Sequence, residues 1–200
     1  GAEAWPHLEW DRLAVHHGME REGFEAHVPP AAHGTYDAWK AATQRYQALV
    51  VARHVLELRR LQYRPTGGFA QMGLVDASPR VSGSLLDHER VPKPAWEAFR
   101  AACRPVVVVA DRLPAALAPG DAVALDVHVV SDLRRPVEGL VATVHASWMG
   151  GGHTWRFRGD VPADACVRVG TLQLVVPEAT GPFALDLRVV DADGAVVATG

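Results

Sequence analysis

The sequence predicts an α+β chain in two parts, helical first and stranded second. Two observations carry this. Up to about residue 61, apolar residues recur at three- and four-residue steps, the period of a helix face. From Val106 the period is two, and Gly, Pro and Asp cluster between the runs, as strands joined by tight turns require. With 200 residues, 48% of them hydrophobic, the chain is long enough for one large domain or two small ones, each with a real core.

In the first part, Leu8 to His17 reads as a short helix stopped by Gly18, a residue that accepts the left-handed conformation of a helix C-terminus. Residues 18–34 read as a loop with a Pro pair. Thr35 offers an N-cap and Asp37 a negative charge for the first turn of the clearest helix, Tyr36 to Leu61. Trp39, Ala42, Tyr46, Leu49, Val50 and Leu56 share one face of it. Arg59 and Arg60 fall in its last turn, and Pro65 cannot continue it. Thr66-Gly67-Gly68 precedes Phe69 to Val75, a run apolar on both faces apart from Gln71. Such a strand is covered on both sides, as in a parallel sheet wrapped by helices. Pro92 and Pro94 open a further helix, Ala95 to Cys103, which would bury Trp96 and Phe99.

The candidate strands of the second part are Val106–Arg112, Ala122–Val130, Leu140–Trp148, Thr154–Arg158, Val167–Val176, Ala184–Val190 and Ala195–Thr199. Turn residues join them at Pro119-Gly120-Asp121, Gly150-Gly151-Gly152, Gly181-Pro182 and Asp193-Gly194. Seven short strands at this spacing read as an immunoglobulin-like β-sandwich. The boundary falls near residues 105 to 112, giving parts 1–105 and 106–200.

A formal charge of −3 argues against nucleic acid as a partner. No apolar run reaches the ~20 residues of a membrane helix, and residues 1–10 lack the basic and apolar regions of a signal peptide. Cys103 and Cys166 are too few for a disulfide scaffold and read as reduced, half-buried thiols. The compartment is left open, with the cytoplasm slightly favoured. No cofactor and no metal site are expected: His7, His16 and His17 lack a ligand spacing.

Residues 58–106 resemble the end of the catalytic barrel of family 2 glycoside hydrolases, most closely the β-mannosidase branch. That branch runs R-P-T-G-G-F, a short apolar strand to Asp, a Pro, then V-T-W-S-V-L-D-H-E-R-x-P-K-P-A-Y. Arg64 to Phe69, Asp76, Pro79, Val81, Ser84, Leu86 to Arg90 and Pro92 to Ala95 match in order. The long helix before them and the sandwich after them fit the family layout. The resemblance therefore implies a fragment of the end of a (β/α)8 barrel: the tail of strand seven, helices, strand eight and the last helix. An immunoglobulin-like sandwich follows. It implies a retaining hydrolase of terminal β-glycosides whose partner is carbohydrate. Gly1 and Pro6 fit the Gly and Pro that follow the family's nucleophilic Glu, so that residue is expected two positions before Gly1 and the general acid far upstream. The expected chain thus has no catalytic carboxylate of its own and is inactive alone. Met72 and Gly83 stand where relatives carry Trp, so no aromatic floor is implied there and mannose does not carry over as the substrate.

Substrate-binding candidates are Trp5 and Asp76, the latter at a strand end where barrel residues often act. Glu3 lies near the nucleophile's place but past it. Asp87-His88-Glu89-Arg90 reads as a salt-bridged loop, and Ser82-Gly83-Ser84 is no nucleophile elbow. Strand Phe69–Val75 and the Trp39 and Tyr46 faces would lack cover, so self-association is expected. The alternative function is a non-catalytic carbohydrate-binding or protein-interaction module.

Overall fold

A computed structural model of the chain describes residues 5–114, 116–179 and 181–200. It is mixed helix and sheet, with every sheet antiparallel. Two compact units divide it: Gly1–Val55 with Phe69–Ala102, and Leu56–Gly68 with Cys103–Gly200.

The first unit holds α1 (Trp10–His17), α2 (Arg21–His27), a single 3₁₀ turn (Pro30–Ala32), α3 (Tyr36–Arg60) as far as Val55, and α4 (Pro94–Ala102). Gly18 ends α1 at φ 64°, ψ 29°, and its N–H closes on the Ala14 carbonyl at 2.9 Å. Thr35 caps α3, its hydroxyl accepting from the Ala38 N–H at 3.2 Å. Met19, Val28 and Trp39 form a small core, with Trp10, Leu13 and Phe24 packed against it. That core explains α2, which the sequence reading places in a loop. Phe24 gives the seven-residue helix its one large anchor, a signal too brief for periodicity. The apolar stripe expected on α3 is only partly realised: Trp39 is 4% exposed, but Leu49 is 70% exposed, and the buried Val55 lies outside the expected set. Trp96 and Phe99 on α4 are half-buried, whereas Ala95 and Ala102 are fully so.

Phe69 to Val75 is not a strand. Its single ladder contact is the bridge from Val75 to Leu86, and Phe69, Met72, Leu74 and Val75 are all exposed. A strand needs a neighbour's N–H and C=O groups, and among the described residues only Ser84 to Leu86 approach it.

The second unit holds β1 (Val106–Ala110), β2 (Ala122–Ser131), β3 (Val137–Trp148), β4 (Gly151–Val161), β5 (Ala165–Val175), β6 (Ala184–Val190) and β7 (Val196–Thr199). They form sheets ordered β1-β2-β5 and β4-β3-β6-β7. Alternate residues of both sheets meet in one core, with Val127, Val129, Val144, Val161 and Val189 fully buried. The other face of β1 and β2 is covered too: Val107, Val109 and Val130 pack with Leu56 and Cys166. Arg59, 7% exposed, spans this region. Its guanidinium donates to the Arg104 carbonyl at 2.7 Å and to Asp132 Oδ2 at 2.8 Å. Both cysteines are free; Cys166 is half-buried as expected, but Cys103 is exposed.

Gly170 sits where a Cβ would lie 2.1 Å from the Phe157 ring. Gly170→Ala is expected to cost about 1–3 kcal/mol through overpacking, seen as an earlier urea midpoint with an unchanged slope. Arg59→Met should cost about 1–3 kcal/mol by leaving buried carbonyls unpaired.

Candidate functional site

Residues 73–93 form a built loop in the first unit, running into the start of α4. Leu85 and Ala95 are 0% exposed and act as its pegs. Backbone bonds run from Leu86 N–H to Leu74 O (2.9 Å), Asp76 N–H to Leu86 O (3.2 Å) and Lys93 N–H to Leu85 O (2.9 Å). Gln47 on α3 donates to the Gly83 carbonyl at 2.9 Å and the Ser84 carbonyl at 3.1 Å.

Asp76 lies inside this loop with 2% of its side chain exposed, against Lys93 at 9%. Lys93 Nζ donates to Asp76 Oδ2 at 2.9 Å, and the Ser82 hydroxyl donates to Oδ1 in a short contact. Burial pushes the carboxyl upward, but the hydrogen bonds from Ser82, Lys93 and Ser84 together outweigh it and hold the group below the usual carboxylate value. Asp76 therefore stays ionised at neutral pH and has no proton to give a leaving group. Its role is to fix Ser82 and Lys93.

Ser82 and Lys93 line a cavity of 790 Å³ walled by α1, α2, α3 and residues 79–93. Its apolar wall is Phe24, Tyr36, Trp39 and Tyr46, and its polar wall includes His17, Lys40, Gln44, Arg80 and His88. Several of these groups are already committed. Trp39 Nε1 donates to the Val28 carbonyl at 2.8 Å, His17 Nδ1 accepts the Val81 N–H at 3.2 Å, and the His27 ring stacks on Tyr46 at 5.1 Å. The cavity presents ring faces beside hydroxyl, amide and cationic donors, a lining for a polar ligand with apolar patches. Among the described residues no group of His, Cys, Asp and Glu could hold a metal.

Of the sequence candidates, Trp5 lies against Trp39 (5.5 Å) and Tyr36 (6.0 Å) and donates its indole N–H to the His33 carbonyl. Asp76 stands behind Ser82 and Lys93. Glu3 lies outside the described residues. Asp87 to Arg90 is not a salt-bridged loop: Asp87 Oδ1 accepts the Glu89 and Val91 N–H groups, closing a side-chain-capped turn. His17 is half-buried in the cavity wall. Sequence reasoning missed Gln47, Ser82 and Lys93 as a network. The one available signal was Lys93 itself, one of two lysines in an arginine-rich chain.

No protein-family model matches the sequence, and no curated protein matches it. Solved structures do match in fold. Exo-chitosanase CsxA of Amycolatopsis orientalis aligns at TM-score 0.66 and 15% identity, over 90% of this chain and 20% of its own. The β-D-mannosidase of Dictyoglomus thermophilum aligns at TM-score 0.70 and 19% identity, over 90% of this chain and 22% of its own. The chain thus spans about a fifth of the length of these glycoside hydrolases.

Removing one partner of the Asp76–Lys93 pair leaves the other buried and uncompensated. Asp76→Asn and Lys93→Met are each expected to cost about 3–5 kcal/mol at pH 7, less together than their sum. Because the folded Asp76 carboxyl is held down, its contribution is complete above the ordinary carboxylate pKa and is lost as pH falls through the folded one. Asp76→Asn should flatten the acid limb of a denaturation profile taken below about pH 4.

Proposed function

We propose that the chain is the C-terminal portion of a β-mannosidase-like family 2 glycoside hydrolase. In this reading residues 1–105 are the last elements of its barrel and residues 106–200 an immunoglobulin-like sandwich. One coincidence carries the reading. The ordered run from Arg64 to Ala95 resembles that family, and solved structures similar in fold over 90% of the chain include a chitosanase and a β-mannosidase. The parent enzyme hydrolyses terminal β-glycosides with retention, which needs two carboxylates about 5–5.5 Å apart. Asp76 does not serve as either, since both its oxygens are engaged. The working pair is supplied by sequence outside residues 1–200, and this chain contributes a wall held by Ser82 and Lys93.

The aromatic and polar lining of the cavity supports a second reading, a carbohydrate-binding module without catalysis. One assay separates the two. The full-length product should release chromophore from an aryl β-mannoside or aryl β-glucosaminide, with a β-configured first product by NMR. Residues 1–200 alone should not. Turnover by residues 1–200 that survives Glu3→Gln would sink the claim that they are inactive, and an inert full-length product would leave the binding module standing.

The exposed apolar run from Phe69 to Val75 supports self-association of the isolated chain. Light scattering should show mass rising with concentration, and Met72→Asp with Leu74→Asp should return it to the monomer value.

A further inference from the structure

Among the described residues, two buried side-chain polar atoms have no hydrogen-bond partner in the protein, Gln62 Oε1 and His128 Nδ1. Both lie where the segment Leu56–Gly68 meets the sheet β1-β2-β5. Gln62 belongs to the segment and donates its amide to Asp164, just before β5. His128 belongs to β2, opposite Val109 of β1 and Arg168 of β5. Its neighbours Val127 and Val129 point into the sandwich core, so its ring stands on the other face, the one Leu56 covers.

The charged groups around that ring are already engaged. From α3, Arg60 reaches Glu57 at 2.9 Å and Asp111 at 3.4 Å. Asp111, just after β1, also accepts the Asp126 N–H at 3.1 Å. Asp126 of β2 accepts from Thr171 and from Arg168 of β5. Cys166 of β5 has Arg60 and Arg64 nearby, but burial dominates and pushes its thiol pKa up. A neutral imidazole can leave Nδ1 bare at modest cost. An imidazolium puts an N–H there, and that N–H meets no acceptor. Burial weighs most against the charged ring and the Arg60 guanidinium adds to it. Asp111 and Asp126 oppose them without prevailing, so His128 is held below the ordinary histidine value.

We infer that His128 is an acid-sensitive catch: proton uptake by its ring releases Leu56–Gly68 from the sheet β1-β2-β5 and uncovers Cys166. The ring cannot take the charge in place, so protonation and opening are coupled. The open form binds the proton more tightly than the closed one. Closure is therefore complete above the ordinary histidine pKa of about 6.5 and weakens as pH falls toward the lowered folded value. Cys166 reports the opening because it shares one apolar cluster with Leu56.

Thiol labelling of residues 1–200 with a dipyridyl disulfide, from about pH 7.5 to 5, tests this across the histidine range. Exposed Cys103 is the internal reference. Both thiol pKa values are raised, so both thiols lose thiolate in step as pH falls. The ratio of the Cys166 rate to the Cys103 rate then isolates opening. It should rise as pH falls, by up to about tenfold per pH unit, with the far-UV circular dichroism unchanged. His128→Gln should leave the ratio flat. His145→Gln, exposed on β3, should behave as the parent does. By NMR the parent's His128 ring should titrate below about 6.5, a readout that needs no variant to fold. A ratio in the parent that ignores pH, an equal rise in His128→Gln, or a His128 ring that titrates at or above the ordinary value would overturn the assignment. None of these readouts involves a glycoside, so this inference and the proposed function fail separately.

Discussion

An ionised carboxylate with almost no exposed surface dictates the layout of residues 73–95. Left alone, a buried Asp76 would take up a proton or open the loop. Lys93 and Ser82 answer it, and each reaches it only because the backbone between them is pinned. Leu85 sits as a peg, Lys93 N–H returns to the Leu85 carbonyl, and Gln47 holds the Gly83 and Ser84 carbonyls. Gly73 belongs to the same arrangement: a Cβ there would lie 3.0 Å from Ser84 Oγ. The wall that Ser82 and Lys93 present to the cavity follows from this electrostatic requirement.

The second unit solves a related problem with Arg59. One guanidinium satisfies carbonyls of the chain entering β1 and the carboxylate of Asp132 just after β2. Gln62 and Tyr63 both donate to Asp164 in the turn before β5. The segment Leu56–Gly68 is thereby tied to the sheet β1-β2-β5 at three places, and Leu56 covers apolar residues on its outward face. This is why β1 reads Val-Val-Val-Val with no alternation: both of its faces are buried.

Much of this was legible in the sequence where the signal is local. Gly18 and Thr35 mark helix ends because each solves its own terminus within four residues. The seven strands were legible because alternation and turn chemistry repeat along a single segment, and β6 falls where they place it. What escaped depends on partners distant in sequence. Asp76 was visible as a strand-end carboxylate, but its engagement with Lys93, seventeen positions on, is a property of the folded loop. Arg59 read as a cation in a helix's last turn; its pairing with Asp132, 73 positions away, is a property of the fold. The α2 helix rests on a single Phe24 meeting Trp39 at 5.6 Å, which no window of seven residues displays.

Phe69 to Val75 marks the limit of composition as a guide. Its residues suit a strand buried on both faces, but burial needs covering surfaces and a ladder needs adjacent edges. The described residues provide one bridge, at Val75. The same segment carries Met72 at 92% exposure while, just beyond it, Asp76 is sealed. A buried ion pair thus orders residues 76–93 while the apolar run before them is bare. That asymmetry accords with the glycosidase reading, in which the run gains barrel neighbours from the rest of the enzyme. It is harder to reconcile with a free-standing module, which would gain stability from polar residues at Met72 and Leu74.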